Sequence, residues 1–313
     1  MALRKTLSPL ALVLALPLVA CGSAITQPAA APVVLAPGAR PVTVRDALYV
    51  SATSENLVDG YRSHRKNPPP FRRLTKGLAG PAGMAVDSSN DLYVANETGS
   101  ASGTVTVYRP HESKPFRTYS NKIDQPVDVA IAPDGTTYIS NVDAVTVYPS
   151  GSTTSSLTLK PPPGFTPFGV TTDITGRVYV AYVSVIGNLG AIYAYDAGKV
   201  RGKDLGIALA GPPHGIIVDP SGNLIVAVSI ANSGSDIEIY PPGTTTPSQR
   251  FYGPSQPMML ALNPNANRLY VADYGTGNND GAVFVFSYPS GSLRSKDTQG
   301  AAESPFGVVF DRS

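Results

Sequence analysis

A seven-residue phrase that begins at a proline recurs six times along this chain. It reads Pro81-Ala-Gly-Met-Ala-Val-Asp, then Pro126-Val-Asp-Val-Ala-Ile-Ala, Pro167-Phe-Gly-Val-Thr-Thr-Asp and Pro213-His-Gly-Ile-Ile-Val-Asp. The last two copies are Pro257-Met-Met-Leu-Ala-Leu-Asn and Pro305-Phe-Gly-Val-Val-Phe-Asp. The prolines lie 45, 41, 46, 44 and 48 residues apart. That period is the length of one four-stranded blade, so the expectation is an all-β fold, a six-bladed β-propeller.

Four strands can be placed in each period. The apolar run after the proline, such as Gly83-Met-Ala-Val, suits an innermost strand covered on both faces. Short turns rich in Asp, Asn and Gly follow, as in Asp173-Ile-Thr-Gly and Asp219-Pro-Ser-Gly-Asn. These residue types close tight hairpins by bonding their own turn amides or by accepting left-handed backbone. Second strands read Leu92-Tyr-Val-Ala or Leu269-Tyr-Val-Ala; third strands alternate and end in an aromatic, as in Val105-Thr-Val-Tyr and Ile237-Glu-Ile-Tyr. A more polar outer strand completes the unit, as an edge tolerates. Residues 47–80 supply second, third and fourth strands with no first strand, and Pro305–Asp311 supplies a first strand with nothing after it. Together they make one composite blade, closed by the C-terminal strand.

The N-terminus reads differently. Arg4 and Lys5 precede an apolar stretch, Leu7–Pro17, too short to span a bilayer, and Leu18-Val-Ala-Cys21 looks like the lipobox of bacterial lipoproteins. Residues 1–20 are expected to be a signal peptide and Cys21 the lipidated first residue of the mature chain. Residues 21–45, rich in Ala and Pro with Arg40 and Arg45 as their only charges, then form a tether, and 46–313 the propeller. This places the protein outside the cytoplasm, attached to a bacterial membrane through its lipid. With one cysteine there is no intramolecular disulfide, and about 290 mature residues are enough to hold a core without one. Charge singles out no partner: 24 Lys and Arg against 22 Asp and Glu become 22 against 22 once Arg4 and Lys5 are removed. Generic nucleic-acid binding is therefore not expected.

The pattern Gly-[Ile/Val]-x-[Val/Phe]-Asp, a turn glycine, then Leu-Tyr-Val-Ala-[Asp/Asn] resembles the repeats of NHL and gluconolactonase-like propellers. The likeness covers nearly the whole mature chain, but it rests on core and turn residues and so implies fold alone. The enlarged segments between second and third strands (96–103, 182–190, 228–235 and 273–281) share one face with the starts of the innermost strands, and that face is the expected binding face. Its channel mouth should be ringed by Ala82-Gly83, Val127-Asp128, Phe168-Gly169, His214-Gly215, Met258-Met259 and Phe306-Gly307. Gluconolactonase-like enzymes hold a divalent cation there with Glu and several Asn or Asp. This chain offers only Asp128 and His214 as ionisable groups, which argues against that site, because a hard cation takes six or more oxygens. Pro213-His-Gly-Ile also resembles a repeat of the streptogramin lyases, in which a histidine near the channel acts as base; the alternative is a packed histidine.

Other motifs carry less. Asp273-Tyr-Gly-Thr-Gly-Asn-Asn-Asp-Gly could offer oxygens to calcium but does not fit EF-hand spacing, and reads equally as a plain loop. Arg62, Arg65, Lys66, Arg72, Arg73 and Lys76 form a basic cluster that reads as a solvated outer face. Serine-hydrolase, haem and phosphate-loop motifs are absent from the sequence. The expected function is a binding module for a protein or glycan, needing no cofactor, with Glu97, Asp128, His214, Asp273 and Tyr274 as candidate ligand contacts. The alternative is a lactonase or lyase that uses Asp128 and His214 with a divalent cation such as calcium.

Cys21→Ser should leave the folded domain intact while abolishing lipid modification. Mass spectrometry of the mature N-terminus checks this directly: an unmodified Cys21, or cleavage elsewhere, returns the chain to the ordinary secreted class.

Overall fold

The computed structural model describes residues 47–62, 66–100, 102–230, 234–276 and 280–311. The expected signal, Cys21 and the tether lie outside them. The described chain forms six four-stranded antiparallel sheets arranged as the blades of a propeller. Blade 1 is composite: its innermost strand is Pro305–Phe310, followed outward by Ala47–Ala52, Leu57–Arg62 and Arg72–Leu74. Blades 2 to 6 run in chain order over 81–119, 128–159, 165–204, 213–252 and 257–297. The C-terminal strand closes the ring as expected, with Leu48 opposite Phe310 and Val50 opposite Val308. The seam is sealed by Asp311, whose amide donates to the Ala47 carbonyl at 3.0 Å and whose Oδ1 accepts the Ala47 amide at 2.8 Å.

The recurring Pro-x-Gly is a bulge. In blades 1, 2, 4 and 5, which carry Pro-x-Gly, and in blade 6, which carries Pro257-Met-Met, the register of the innermost strand shifts between the proline and the residue three positions on. Proline cannot donate to the ladder, and the bulge turns the strand inward. The glycine then lies against the backbone of the next blade. A Cβ on Gly169 would stand 2.3 Å from the His214 carbonyl oxygen, and one on Gly307 2.3 Å from that of Ala82. The Gly83 amide donates to the Val127 carbonyl at 2.8 Å. Ser51 and Ser140, at equivalent second-strand positions, tie the same junctions by donating to the carbonyls of Ala82 and Phe168, both at 2.6 Å.

Farther out, one third-strand position sets each blade's middle layer. It holds Asp59, Thr106, Thr146, Tyr193, Glu238 and Phe284, opposite Arg73, Thr118, Thr158, Asp204, Arg250 and Lys296 on the outer strands. Asp59 is fully buried and takes Arg73 in a fork, Nε and Nη2 each at 2.8 Å, plus the Ala301 amide at 3.1 Å. Two residues on, the terminal aromatic reaches back to the preceding connection: the hydroxyl of Tyr61 donates to the Gln299 carbonyl at 2.6 Å, and that of Tyr108 to Lys76 at 2.7 Å. Of the expected basic cluster, Arg65 lies outside the described residues, while Arg62, Arg72 and Arg73 each meet a local partner. Arg72 donates to the Tyr49 hydroxyl at 2.9 Å, and Arg62 lies over the Phe71 ring at 5.8 Å.

One expectation about loops changes. Much of the segment 96–103 is ladder, with Asn96 opposite Thr104 and Glu97 opposite Gly103. Its small polar residues pair as readily as they loop, so the hairpin extends to Ser100 and Ser102. A chain ending at Ser304 should lose well over the ~0.5–3 kcal/mol typical of single substitutions, since blade 1 would lack its innermost strand. Equilibrium denaturation tests it: a truncated chain as stable as the whole would contradict the closure.

Candidate functional site

The two ends of the central channel differ. At the end where the innermost strands begin, part of the expected ring assembles, without Asp128 and Met259: Phe168 stacks on His214 with centroids 4.6 Å apart and on Phe306 at 6.1 Å. Ala82, Val127, Met258 and Phe306 are buried there in one apolar cluster, against which Phe168 and Tyr274 pack. These side chains form a cap over the mouth, with Phe168 and His214 still partly exposed. Side chains from three different blades stack because each Pro-x-Gly bulge brings its middle residue toward the axis.

Beneath the cap a cavity of about 820 Å³ opens at the opposite face, that of the first-to-second-strand turns. Its lining begins at Asp128 and Met259, the two residues that replace glycine in the inner ring, and includes none of the stacked cap residues. It ends at Asp173, Asp219, Asn263 and Asp311, which close or end the strand turns. Asp173 Oδ1, for example, accepts the amides of Thr175 and Arg177 at 2.8 and 3.0 Å. This cavity therefore opens at the face opposite the expected binding face, where three rings far apart in sequence stack.

Asp128 is placed by blade 3 and shared with blade 4. Its Oδ1 accepts the Val129 amide at 2.9 Å and its Oδ2 the Val170 amide at 3.0 Å, while its own amide donates to Ser140 Oγ at 3.0 Å. Burial pushes the carboxyl up to about 7, against the pull of those two amides. His214 lies in the cap and does not line the cavity. Its Nδ1 is 3.1 Å from both the Pro257 carbonyl oxygen and Ser229 Oγ. A carbonyl only accepts, so Nδ1 carries the hydrogen in this contact. Burial lowers the imidazole pKa, opposed by the Pro257 bond, which keeps the ring neutral at pH 7.

The remaining candidates are scattered. Asp273 is buried, and its carboxylate already accepts the Ser255 and Gln256 amides at 3.0 and 2.6 Å, bracing the connection into blade 6. Asn96 and Asn141 hold the equivalent connections at Ala79 and Asp124, so this is a role of the repeat that spacing alone did not reveal. Tyr274 extends its hydroxyl to within 3.5 Å of Ser54 Oγ. Glu97 is half-buried at the edge of its hairpin, and burial raises its carboxyl pKa. Part of the glycine- and asparagine-rich stretch after Asp273 lies outside the described residues. Among the described residues, no three His, Cys, Asp or Glu side chains are grouped to hold a metal ion.

Sequence reasoning missed the apolar tip of blade 4. Val185, Ile186 and Leu189 are 64%, 78% and 64% exposed on the capped face. The tip is internally bonded: Ser184 Oγ donates to the Ile186 carbonyl at 2.6 Å, and the Val185 amide donates to the Gly164 carbonyl at 2.9 Å. Their sequence signal was three large apolar residues between Ser184 and Gly190, where a loop is usually polar.

No protein-family model matches the chain, and no curated protein matches it either. Solved structures share its fold. A chain of a nidogen/laminin complex has 16% identity and a TM-score of 0.66, with 85% of this chain and 98% of that one covered. A protein of unknown function from Bacteroides caccae gives 10% identity and a TM-score of 0.66, covering 86% and 100%. A putative 6-phosphogluconolactonase from Bacteroides fragilis gives 12% identity and a TM-score of 0.60, covering 87% and 99%. Likeness at these identities concerns the propeller and not its chemistry.

Burial makes Asp128 a reporter of pH. The folded chain holds its proton to about pH 7, whereas an unfolded aspartate releases it near 3.8. The native state therefore binds more protons in between, and stability present below the lower value is lost as pH rises through the upper one. Asp236, buried in blade 5 beside Glu238 and raised to about 6, adds to the same trend. Melting temperature should fall from pH 5 to pH 8, with a shallower slope in Asp128→Asn. An identical slope in that variant would rule out the buried acid as the cause.

Proposed function

We propose that this six-bladed propeller is a non-catalytic binding module that presents its capped face to a protein partner. The observation that carries this reading is the tip Val185-Ile186-Leu189, which exposes three large apolar side chains on a hairpin whose backbone is already bonded. Such side chains on a rigid scaffold are contact anchors of the kind protein interfaces use. Val142, 39% exposed in the corresponding loop of blade 3, adds apolar surface, and Glu97 and Tyr274 would supply polar contacts from blades 2 and 6. A protein suits this surface better than a glycan, because branched aliphatic side chains offer little to a polar sugar. The Leu18-Val-Ala-Cys21 motif supports the further reading that the module is exported and held at a bacterial membrane by a lipid on Cys21.

The lactonase or lyase alternative needs an acid, a base and a cation at one mouth. Asp128 lines the cavity while His214 stacks in the cap with its Nδ1 already engaged, so the two do not form a shared constellation. Metal analysis of the purified protein, together with hydrolysis assays on simple lactones, separates the readings. The binding module should carry no stoichiometric metal and show no turnover. A stoichiometric divalent ion lost on Asp128→Ala or His214→Ala, with lactone hydrolysis lost alongside it, would overturn the proposal in favour of an enzyme.

A further inference from the structure

The cavity under the cap has a composition that the binding-module reading does not use. Its lining includes Asp128, Asp173, Asp219 and Asp311 and not one Lys, Arg or His. Between those acids the wall is aliphatic, built from Met84, Val129, Ile216, Met259, Leu260 and Val308. At the Asp128 end its lining stops short of the stacked Phe168, His214 and Phe306. A pocket with one sign of charge and low-dielectric walls concentrates the opposite charge.

The acids occupy two levels. Asp128, only 7% exposed, forms part of the floor and is bonded to the Val170 amide. Asp173 stands three residues farther along the same innermost segment, at the mouth. At about 3.3 Å per residue the two levels are ~10 Å apart. A single metal ion cannot bridge that span, and a hard cation would need six or more oxygens around one point, which the aliphatic wall does not provide. What does fit is a rod, apolar along its length and cationic at both ends. Met84 and Met259 at the deep end are unbranched side chains that adapt to a slender occupant.

We propose that this cavity is a binding site for a linear aliphatic diamine or polyamine, inserted lengthwise with one ammonium at Asp128 and the other at the acidic mouth. The oxygens of Asp128 each accept one backbone amide and retain a lone pair for the inner ammonium. The mouth acids are held in place by their own turns, as when Asp219 takes the Ser221 and Asn223 amides at 2.8 Å each. The site is thus preorganised and loses little conformational freedom on binding. The methylene chain gains by leaving water against the aliphatic wall. A neutral diol of equal length lacks the charges, and a monoamine satisfies only one level.

Isothermal titration of the purified protein at pH 8, above the value of about 7 at which buried Asp128 gives up its proton, with 1,7-diaminoheptane, 1-aminoheptane, 1,7-heptanediol and calcium chloride tests the site. The diamine should saturate at one per chain, the monoamine should bind at least ~10-fold more weakly, and the diol and calcium should not bind. Asp128→Asn should weaken the diamine by at least ~10-fold. Met259→Phe, which narrows the floor without touching an acid, should do the same and keeps the test open should Asp128→Asn fail to fold. Replacing Val185, Ile186 and Leu189 together by Ser should leave diamine binding unchanged, which separates this site from the capped face. Equal binding of diol and diamine, absence of saturation, displacement by calcium, or full affinity in the folded variants would each overturn the proposal.

Discussion

Everything in this structure depends on how closely neighbouring innermost strands approach at the Pro-x-Gly bulges. With a Cβ on Gly169 or Gly307 only 2.3 Å from the facing carbonyl, no side chain larger than hydrogen fits there. Six strands drawn together at one end of the channel leave their middle residues to meet over the axis. The cap of Phe168, His214 and Phe306 is therefore a consequence of backbone packing, and the cavity beneath it is the space left as the strands run on. Where the ring departs from glycine it compensates. Asp128 replaces the lost close contact with a carboxylate that joins blades 3 and 4 through the Val129 and Val170 amides.

The same economy governs the acids. Most aspartates and asparagines of the repeat are spent on architecture: Asp173 and Asp219 fold turns, Asn96, Asn141 and Asp273 brace connections, and Asp59 anchors an arginine fork. Blade 5 is the exception. It places Asp236 and Glu238 against one arginine, Arg250, whose nitrogens lie 3.7 and 2.8 Å away, so the layer holds more negative than positive charge. Burial of a carboxylate without full compensation is costly, which is why Asp236 holds its proton more tightly than an exposed aspartate. Charge on the inner surface of this protein thus arises largely as a by-product of turn and layer chemistry.

The architecture was legible because its signals are local and repeated. A proline that cannot join a ladder, an apolar run and an Asp-Gly turn each announce themselves within a few residues, and the six copies reinforce one another. Blade closure followed from counting strands at the two ends, and the pairing of Val50 with Val308 agrees with it. Phe168, His214 and Phe306 of the expected ring come together, but Asp128 and Met259 of the same ring line the cavity that opens at the other end. That depends on whether Phe168, His214 and Phe306 stack across the axis, and residues 46 to 138 positions apart carry no short-range mark of it. Met259 could have been recognised as the second departure from glycine in the ring. The exposed tip of blade 4 was readable as apolar residues out of place, yet the hydrogen bond from Val185 to Gly164 on another segment was not.

Joining the chain's two ends in blade 1 also imposes an order on assembly. The hydrogen bond between Ala47 and Asp311 spans 264 residues, and that between Ser51 and Gly307 spans 256. Contacts of such sequence separation form slowly, because the intervening chain must be brought together first. While the chain is being made, Ala47–Ala52 has no inner partner until Pro305–Phe310 has emerged, and the ring cannot lock before then. A protein built this way stays open until that strand is made and becomes resistant to unfolding only afterwards. The same delay would expose the chain to proteolysis if that strand were lost.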